Sequence, residues 1–291
     1  MSYVIHGARG AQGAPVLAAL VASGASVTAV SRGAGGVPEG VPDGVRVVAA
    51  DYASVDALSR AYEGADGVFV HLPLGAPDDR LAFARNVVAA VDRARPARVV
   101  VSTSGAFTDV TAAAGGVPAD PAVMHLIEGV RHSSVSYAVV APRLFLENLL
   151  LPPVVGGARE EGVLRYPLAA GLPVSWSSHL DVADVAAALL RRTDVVGTVA
   201  VGQYPAVTGP QLAEAFGDRF GRDVSYEGIV PDVFAGLIAP LLGAATAAGV
   251  ADLYRAIGTL PDHAITPEDS AQELLGLTPR TTGEWLADLG L

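Results

Sequence analysis

The sequence predicts an α/β fold, a doubly wound parallel sheet with a smaller, mostly helical lobe, and three observations lead there. Short apolar runs alternate with helical patterns from Tyr3 to Ala141. The first run empties into a glycine-rich segment followed by a helix-like stretch. The composition, 51% hydrophobic and 17% charged over 291 residues, can bury a large core and does not suit a disordered chain.

The opening unit carries most of the information. Residues 3–6 form an apolar strand, Gly7, Gly10 and Gly13 follow, and 14–22 read as a helix. Residues 27–30 are a second strand ending at Ser31-Arg32. Strand, glycine loop, helix and strand make a dinucleotide-binding βαβ unit, with GxxGxxG spacing in place of GxGxxG. Gly7 permits the turn, Gly10 lets backbone approach a pyrophosphate, and Gly13 brings helix and sheet together. Where NAD-binding domains usually place a carboxylate for the ribose 2′-hydroxyl, this chain has Ser31-Arg32, and no acidic residue comes before Glu39. A guanidinium there suits a 2′-phosphate, and Arg9 in the loop could reach the same group, so the expected cofactor is NADP(H). The alternative for each is a solvated surface arginine.

Further units follow in order. Residues 45–50 are a strand ending at Asp51-Tyr52, 57–62 a helix, and 67–72 a strand running into Pro73. Residues 80–95 are a long helix, 98–102 a strand leading to Ser104-Gly105, 123–132 a helix and 136–141 a strand. Beyond Leu150 the chain is loop-rich, then 179–192 read as a helix, 198–201 as a last strand, and the rest as broken helices. The expected division is a dinucleotide-binding domain of residues 1–150, rejoined by 175–205, and a substrate-side lobe of 151–174 and 206–291. Ligands of such sheets sit at the carboxyl ends of the strands, where the polar candidates lie.

Composition excludes several chemistries. All 19 basic residues are arginine and there is no cysteine, so Schiff-base, thiolate and cysteine-zinc chemistry have no residue to act through. A net charge of -11 without a basic cluster argues against nucleic-acid or anionic-membrane partners. The scattered carboxylates have no metal-ligand spacing. The N-terminus enters a strand without a leader-like segment, and residues 233–250, interrupted by glycines and Pro240, read as buried helices, so the expectation is a cytoplasmic protein with a small-molecule substrate. Oligomeric state is left open.

At this point the chain resembles the NmrA-like group of atypical short-chain dehydrogenases. The matching pieces are Gly7-Ala8-Arg9-Gly10-Ala11-Gln12-Gly13, Ser31-Arg32, Asp51-Tyr52, residues 99–104, Pro142-Arg143-Leu144-Phe145-Leu146-Glu147-Asn148, and residues 181–186. The group includes NADPH-dependent quinone reductases, ether and isoflavone reductases, and non-catalytic sensors of nicotinamide redox state. The resemblance implies that Gln12 and Tyr52 belong to the cofactor site and that Asp51 lies near the adenine. It also implies that Leu72-Pro73 pass under the cofactor and Ser102-Thr103 lie near the nicotinamide ribose. The Tyr-x-x-x-Lys pair of short-chain dehydrogenases is absent, since the chain has no lysine. Counting back from Tyr137 to the lysine position of the ether-reductase branch gives His125.

His125 is therefore a candidate proton donor, with a helix-surface histidine as the alternative. His71, at a strand end, faces the expected crevice or bonds a neighbouring loop. Ser102 and Ser104 could hydrogen-bond a substrate carbonyl. Phe107, Phe145, Asn148, Tyr166 and Trp176 are candidate pocket lining for a flat apolar substrate, the alternative being ordinary core. Asp181 and Asp184 read as helix-start carboxylates. The expected function is an NADP(H)-dependent reductase of a small quinone-like or aromatic carbonyl compound. The rivals are a non-catalytic NADP(H) sensor and a non-redox cyclase or isomerase on the same fold.

Overall fold

The structure, a computed structural model, describes residues 1–31, 40–108 and 119–291. Its first half runs β1 (Ser2–Ile5), α1 (Gly13–Ala22), β2 (Ser26–Ser31), β3 (Arg46–Ala49), α2 (Val55–Tyr62), β4 (Gly67–Val70), α3 (Pro77–Ala94), β5 (Arg98–Ser102), α4 (Pro121–His132) and β6 (Ser136–Pro142). Continuing, β7 (Leu144–Phe145), α5 (Pro152–Gly156), β8 (Val163–Tyr166), β9 (Trp176–Ser177), α6 (His179–Arg191) and β10 (Gly197–Val201) lead back to the sheet. The chain ends with α7 (Gly209–Phe220), β11 (Ser225–Gly228), α8 (Pro231–Leu242), α9 (Ala244–Ile257), α10 (Ala271–Leu275) and α11 (Thr282–Asp288).

Seven parallel strands form one sheet in the order β3-β2-β1-β4-β5-β6-β10. The order reverses between β1 and β4, which opens a crevice at their carboxyl ends. The central strands are Val-rich because both faces are covered. Against one face, α1 and α6 pack through Val16, Leu17, Leu20, Val182 and Leu189. On the other, α2, α3 and α4 contribute Leu58, Val87, Val91, Val123 and Leu126. Arg98 is fully buried at the start of β5, donating to the carbonyls of Leu189 and Val195 and to Ser136 Oγ, and so ties three elements together.

A further apolar core, here the lobe core, buries Trp176, Tyr166, Phe216, Phe234, Tyr254 and Trp285, and so takes in Trp176 from the 175–205 stretch expected with the dinucleotide-binding domain. At α6, Ser178 and Asp181 form a capping box, and Arg280 bonds Asp181, Asp184 and Asp288, pinning the C-terminal segment to that helix. The helix-start role read for Asp181 is thus seen directly, with an ion pair added. The apolar stretch 233–250 is two helices broken at Gly243 (φ +82°). It is only half covered, since Val233, Leu237 and Leu241 are exposed opposite buried Phe234 and Ile238. No helix among the described residues is long and apolar enough to cross a membrane.

Candidate active site

The glycine loop is shaped by backbone contacts that no side chain could share. Gly7 has φ +62°, and a Cβ there would lie 2.5 Å from His71 Nε2. A Cβ on Gly13 would lie 2.2 Å from the Gly7 carbonyl oxygen and 2.4 Å from that of His6, both immovable backbone atoms. The loop therefore folds flat beneath α1, whose first turn carries no acidic residue and no side-chain cap. Such a helix N-terminus, with its amides and dipole uncovered, favours an anion. Above it is a cleft of about 370 Å³, lined by Gly7, Arg9, Gly10, Ser31, Tyr52 and His71 among others. These residues fit a dinucleotide: the pyrophosphate would sit on the loop and helix, with Arg9 at its rim. Arg32 lies outside the described residues.

Gln12 occupies the N-cap position of α1 without capping it, because its side chain is used elsewhere. It donates to Ser104 Oγ (2.9 Å) and accepts from Ser102 Oγ (2.8 Å), and Ser102 Oγ also accepts the Ser104 N–H (3.2 Å). This network locks the β5 end to the glycine loop and holds Ser104 at φ +56°. Ser102, a candidate catalytic group in the sequence, is buried with its hydroxyl committed to Gln12. Thr103 beside it is buried, with Oγ1 unpartnered among the described residues. Tyr52 donates to the His71 carbonyl (2.6 Å), while Asp51 is exposed and accepts the Ala53 N–H (2.8 Å). Leu72 is buried and Pro73 lines the cleft.

Beneath the cleft lie neutral histidines. Burial, reinforced by His71, holds His6 down to about 3, with its Nε2 2.7 Å from the Tyr62 hydroxyl. His71 is pushed below its usual value by burial, against an opposing hydrogen bond to the Leu72 backbone, and its Nε2 has no partner among the described residues. His179, stacked 4.5 Å from the Phe145 ring centre, falls to about 4 through burial and then His71. Glu147 accepts the His179 N–H (2.9 Å) and the Trp285 indole N–H (3.3 Å), yet burial pushes its carboxyl up.

A second cavity, about 480 Å³, lies at the starts of α3 and α4. Its apolar walls include Leu81, Ala106, Phe107, Pro121 and Leu253, from four separate stretches of chain. Its charged lining is Asp78, Arg80 and Asp120. Arg80 Nε donates to the carbonyl of Pro73 (3.2 Å), so a residue of this cavity is hydrogen-bonded to one that lines the cleft. Sequence reasoning found Phe107 and missed the charged trio. Asp120-Pro121 was readable as a helix start, but nothing local marks Arg80 as its partner 40 positions away.

Two expected pocket residues are corrected. Tyr166 and Trp176 are 0% and 1% exposed in the lobe core, where the Tyr166 hydroxyl bonds that of Tyr254 and the rings meet edge-to-face. Their aromatic area is worth more buried among Phe234 and Tyr254 than lining a wet pocket. Asn148 lies beside the same tyrosine pair and offsets part of the upward push that burial gives both hydroxyls. Phe145 is half-buried against His179. His125 is exposed on α4 and lines neither cavity.

A doubly wound parallel sheet with a glycine loop at its switch point defines a dinucleotide-binding architecture. The NmrA-like family profile matches residues 3–286, and the chain belongs to that family. A (4-alkanoyl-5-oxo-2,5-dihydrofuran-3-yl)methyl phosphate reductase of Streptomyces griseus is 31% identical over 174 residues, 59% of this chain. The match spans 56% of that relative's length. An NADPH-dependent quinone oxidoreductase from Escherichia coli, complexed with NADPH, superposes with a TM-score of 0.80 over 100% of both chains at 20% identity. Nmra, a negative transcriptional regulator in complex with NAD, has a TM-score of 0.75 over 100% of this chain and 98% of its own, at 16% identity. These two structures share the fold.

Proposed function

We propose that the protein is an NADP(H)-dependent reductase of a small, apolar, quinone-like or aromatic carbonyl compound. The observation that carries this reading is the Arg80–Pro73 hydrogen bond, which ties the wall of an apolar cavity to the wall of a dinucleotide cleft. The reductase names among its relatives agree with it. Gly7, Gly10, Gly13 and the α1 N-terminus would hold the pyrophosphate, and Arg9 with Arg32 the 2′-phosphate. NADPH, when bound, supplies hydride-transfer chemistry. The chain's own part is to orient the substrate, through Phe107, Leu81 and Leu253, and to keep water from the reacting face. With no tyrosine-lysine pair and with His6, His71 and His179 held neutral by burial, the proton comes from solvent. Within that class quinones fit best, because their reduced products are acidic enough to need little general-acid help.

The missing catalytic pair also favours a second reading, a sensor that binds NADP(H) and does not turn over, as the regulator's fold allows. NADPH consumption against a panel of quinones and enones, with NADH in parallel, separates the two. Turnover preferring NADPH is the expected result. Tight NADPH binding without turnover across the panel would move the assignment to the sensor.

A further inference from the structure

The second cavity carries a charge arrangement that selects among carbonyl compounds. Arg80 is held at both ends: Nε on the Pro73 carbonyl (3.2 Å) and Nη1 on Asp120 Oδ2 (2.5 Å). Asp120 cannot swing away, since its Oδ1 accepts the N–H groups of Ala122 (3.0 Å) and Val123 (3.1 Å) and caps α4. The pair is 20% exposed on each side, so its geometry is fixed by packing as well as by charge. Nη2 of Arg80, with two N–H groups, has no acceptor among the described residues. A guanidinium edge without a protein acceptor, beside apolar walls, is open to donate to water or to a ligand oxygen.

The charge of that ligand follows from the rest of the lining. Asp78 and Asp120 bring two negative charges against the single positive charge of Arg80. An anion would meet a site already occupied by carboxylates, whereas an uncharged carbonyl oxygen can still accept from Nη2. We infer that this cavity binds a planar, uncharged carbonyl compound with its oxygen on Arg80 Nη2, and that Asp78 and Asp120 exclude carboxylates and phosphates of the same shape. This rests on the reductase reading only in taking the ligand to be the substrate. The binding itself needs no turnover. Arg80 then also faces the oxygen on which charge develops when such a carbonyl is reduced, where a fixed donor has the greatest effect.

The test compares 1-naphthaldehyde with 1-naphthoate, alike in shape and different in charge, by calorimetry on the whole chain with NADP⁺ present. The aldehyde is expected to bind at least about tenfold more tightly than the carboxylate. Asp78→Asn, which leaves the Arg80 pair intact, should narrow that gap several-fold. The infrared carbonyl stretch of the bound aldehyde should move to lower frequency, and Arg80→Met should abolish the shift and weaken binding about tenfold. Should Arg80→Met fail to fold, the Asp78→Asn comparison decides alone. Naphthoate binding as tightly as the aldehyde, or a carbonyl shift that survives in Arg80→Met, overturns the inference. If discrimination and shift are both seen but no quinone or enone oxidises NADPH, the reductase reading fails while this site stands. Turnover without discrimination does the reverse.

Discussion

The dinucleotide cleft and the second cavity, linked by the hydrogen bond from Arg80 to Pro73, are built on different principles. The cleft is made of backbone: Gly7 and Gly13 allow contacts of 2.2–2.5 Å to positions where a Cβ would stand, and the donors are helix amides. Its parts come from a short stretch of sequence, so the loop is shaped before the remainder of the chain is considered. The cavity is made of side chains from α3, α4, α9 and the segment after β5, and its polar element joins residues 40 positions apart. A backbone site constrains sequence severely and serves one cofactor class. A side-chain site can change its ligand by single substitutions, which is how one fold serves many reactions.

Substitutions at the two sites should therefore differ in kind. The largest effect is expected for Gly13→Ala, whose methyl has only backbone to displace. NADPH binding, followed by fluorescence, should be lost, with destabilisation of about 3 kcal/mol or more in urea unfolding. Normal NADPH binding by this variant would break the comparison. Next comes Trp176→Ala in the lobe core, expected to cost about 3–5 kcal/mol of stability. NADPH affinity should be unchanged at temperatures where the variant is folded. A selective rise in substrate KM without loss of stability would instead return Trp176 to the pocket.

A smaller effect is expected at the rim. Arg9→Ala should weaken NADPH about tenfold while leaving NADH binding as it was, because only the 2′-phosphate differs between them. Equal losses for both cofactors would place Arg9 on the pyrophosphate. Acid should act on the molecule as a whole through its buried histidines. His6 at about 3, His179 at about 4 and His263 at about 4 are all lowered first by burial. An unfolded chain takes up those protons near pH ~6.5. Below that value the unfolded state binds more protons, so stability present at neutral pH is lost as pH falls toward 4, at about 1.4 kcal/mol per pH unit per group. Glu147, raised by burial, works in the opposite sense and offsets part of the slope. Urea midpoints from pH 7 to pH 5 should fall steadily, and His263→Gln should flatten the line. Last, His125→Phe should change neither turnover nor its pH profile, since the side chain is exposed and lines neither cavity. A lost protonation step would restore it as the donor.

The sheet was legible because strands buried on both faces read as continuous apolar runs, and each expected strand is present within about two residues of its expected ends. The glycine loop was legible because its conformation depends on residues within seven positions of one another. Tyr166 and Trp176 were misplaced because an aromatic residue looks the same in sequence whether it lines a pocket or fills a core. Ser102 looked available because nothing local shows that Gln12, 90 positions earlier, takes its hydroxyl.

Sequence alone thus determined the fold class, the strand order's starting unit, the dinucleotide loop and the absence of a tyrosine-lysine pair. These depend on local backbone preference, periodicity and residue inventory. The tertiary structure alone decided which polar groups are already satisfied and which still face a ligand. It brought Arg80 onto Pro73 and Asp120, committed Ser102 to Gln12, and drew Tyr166 and Trp176 into the lobe core. Hydrogen-bond satisfaction is a property of neighbours in space, and those neighbours come from parts of the chain that sequence periodicity does not relate.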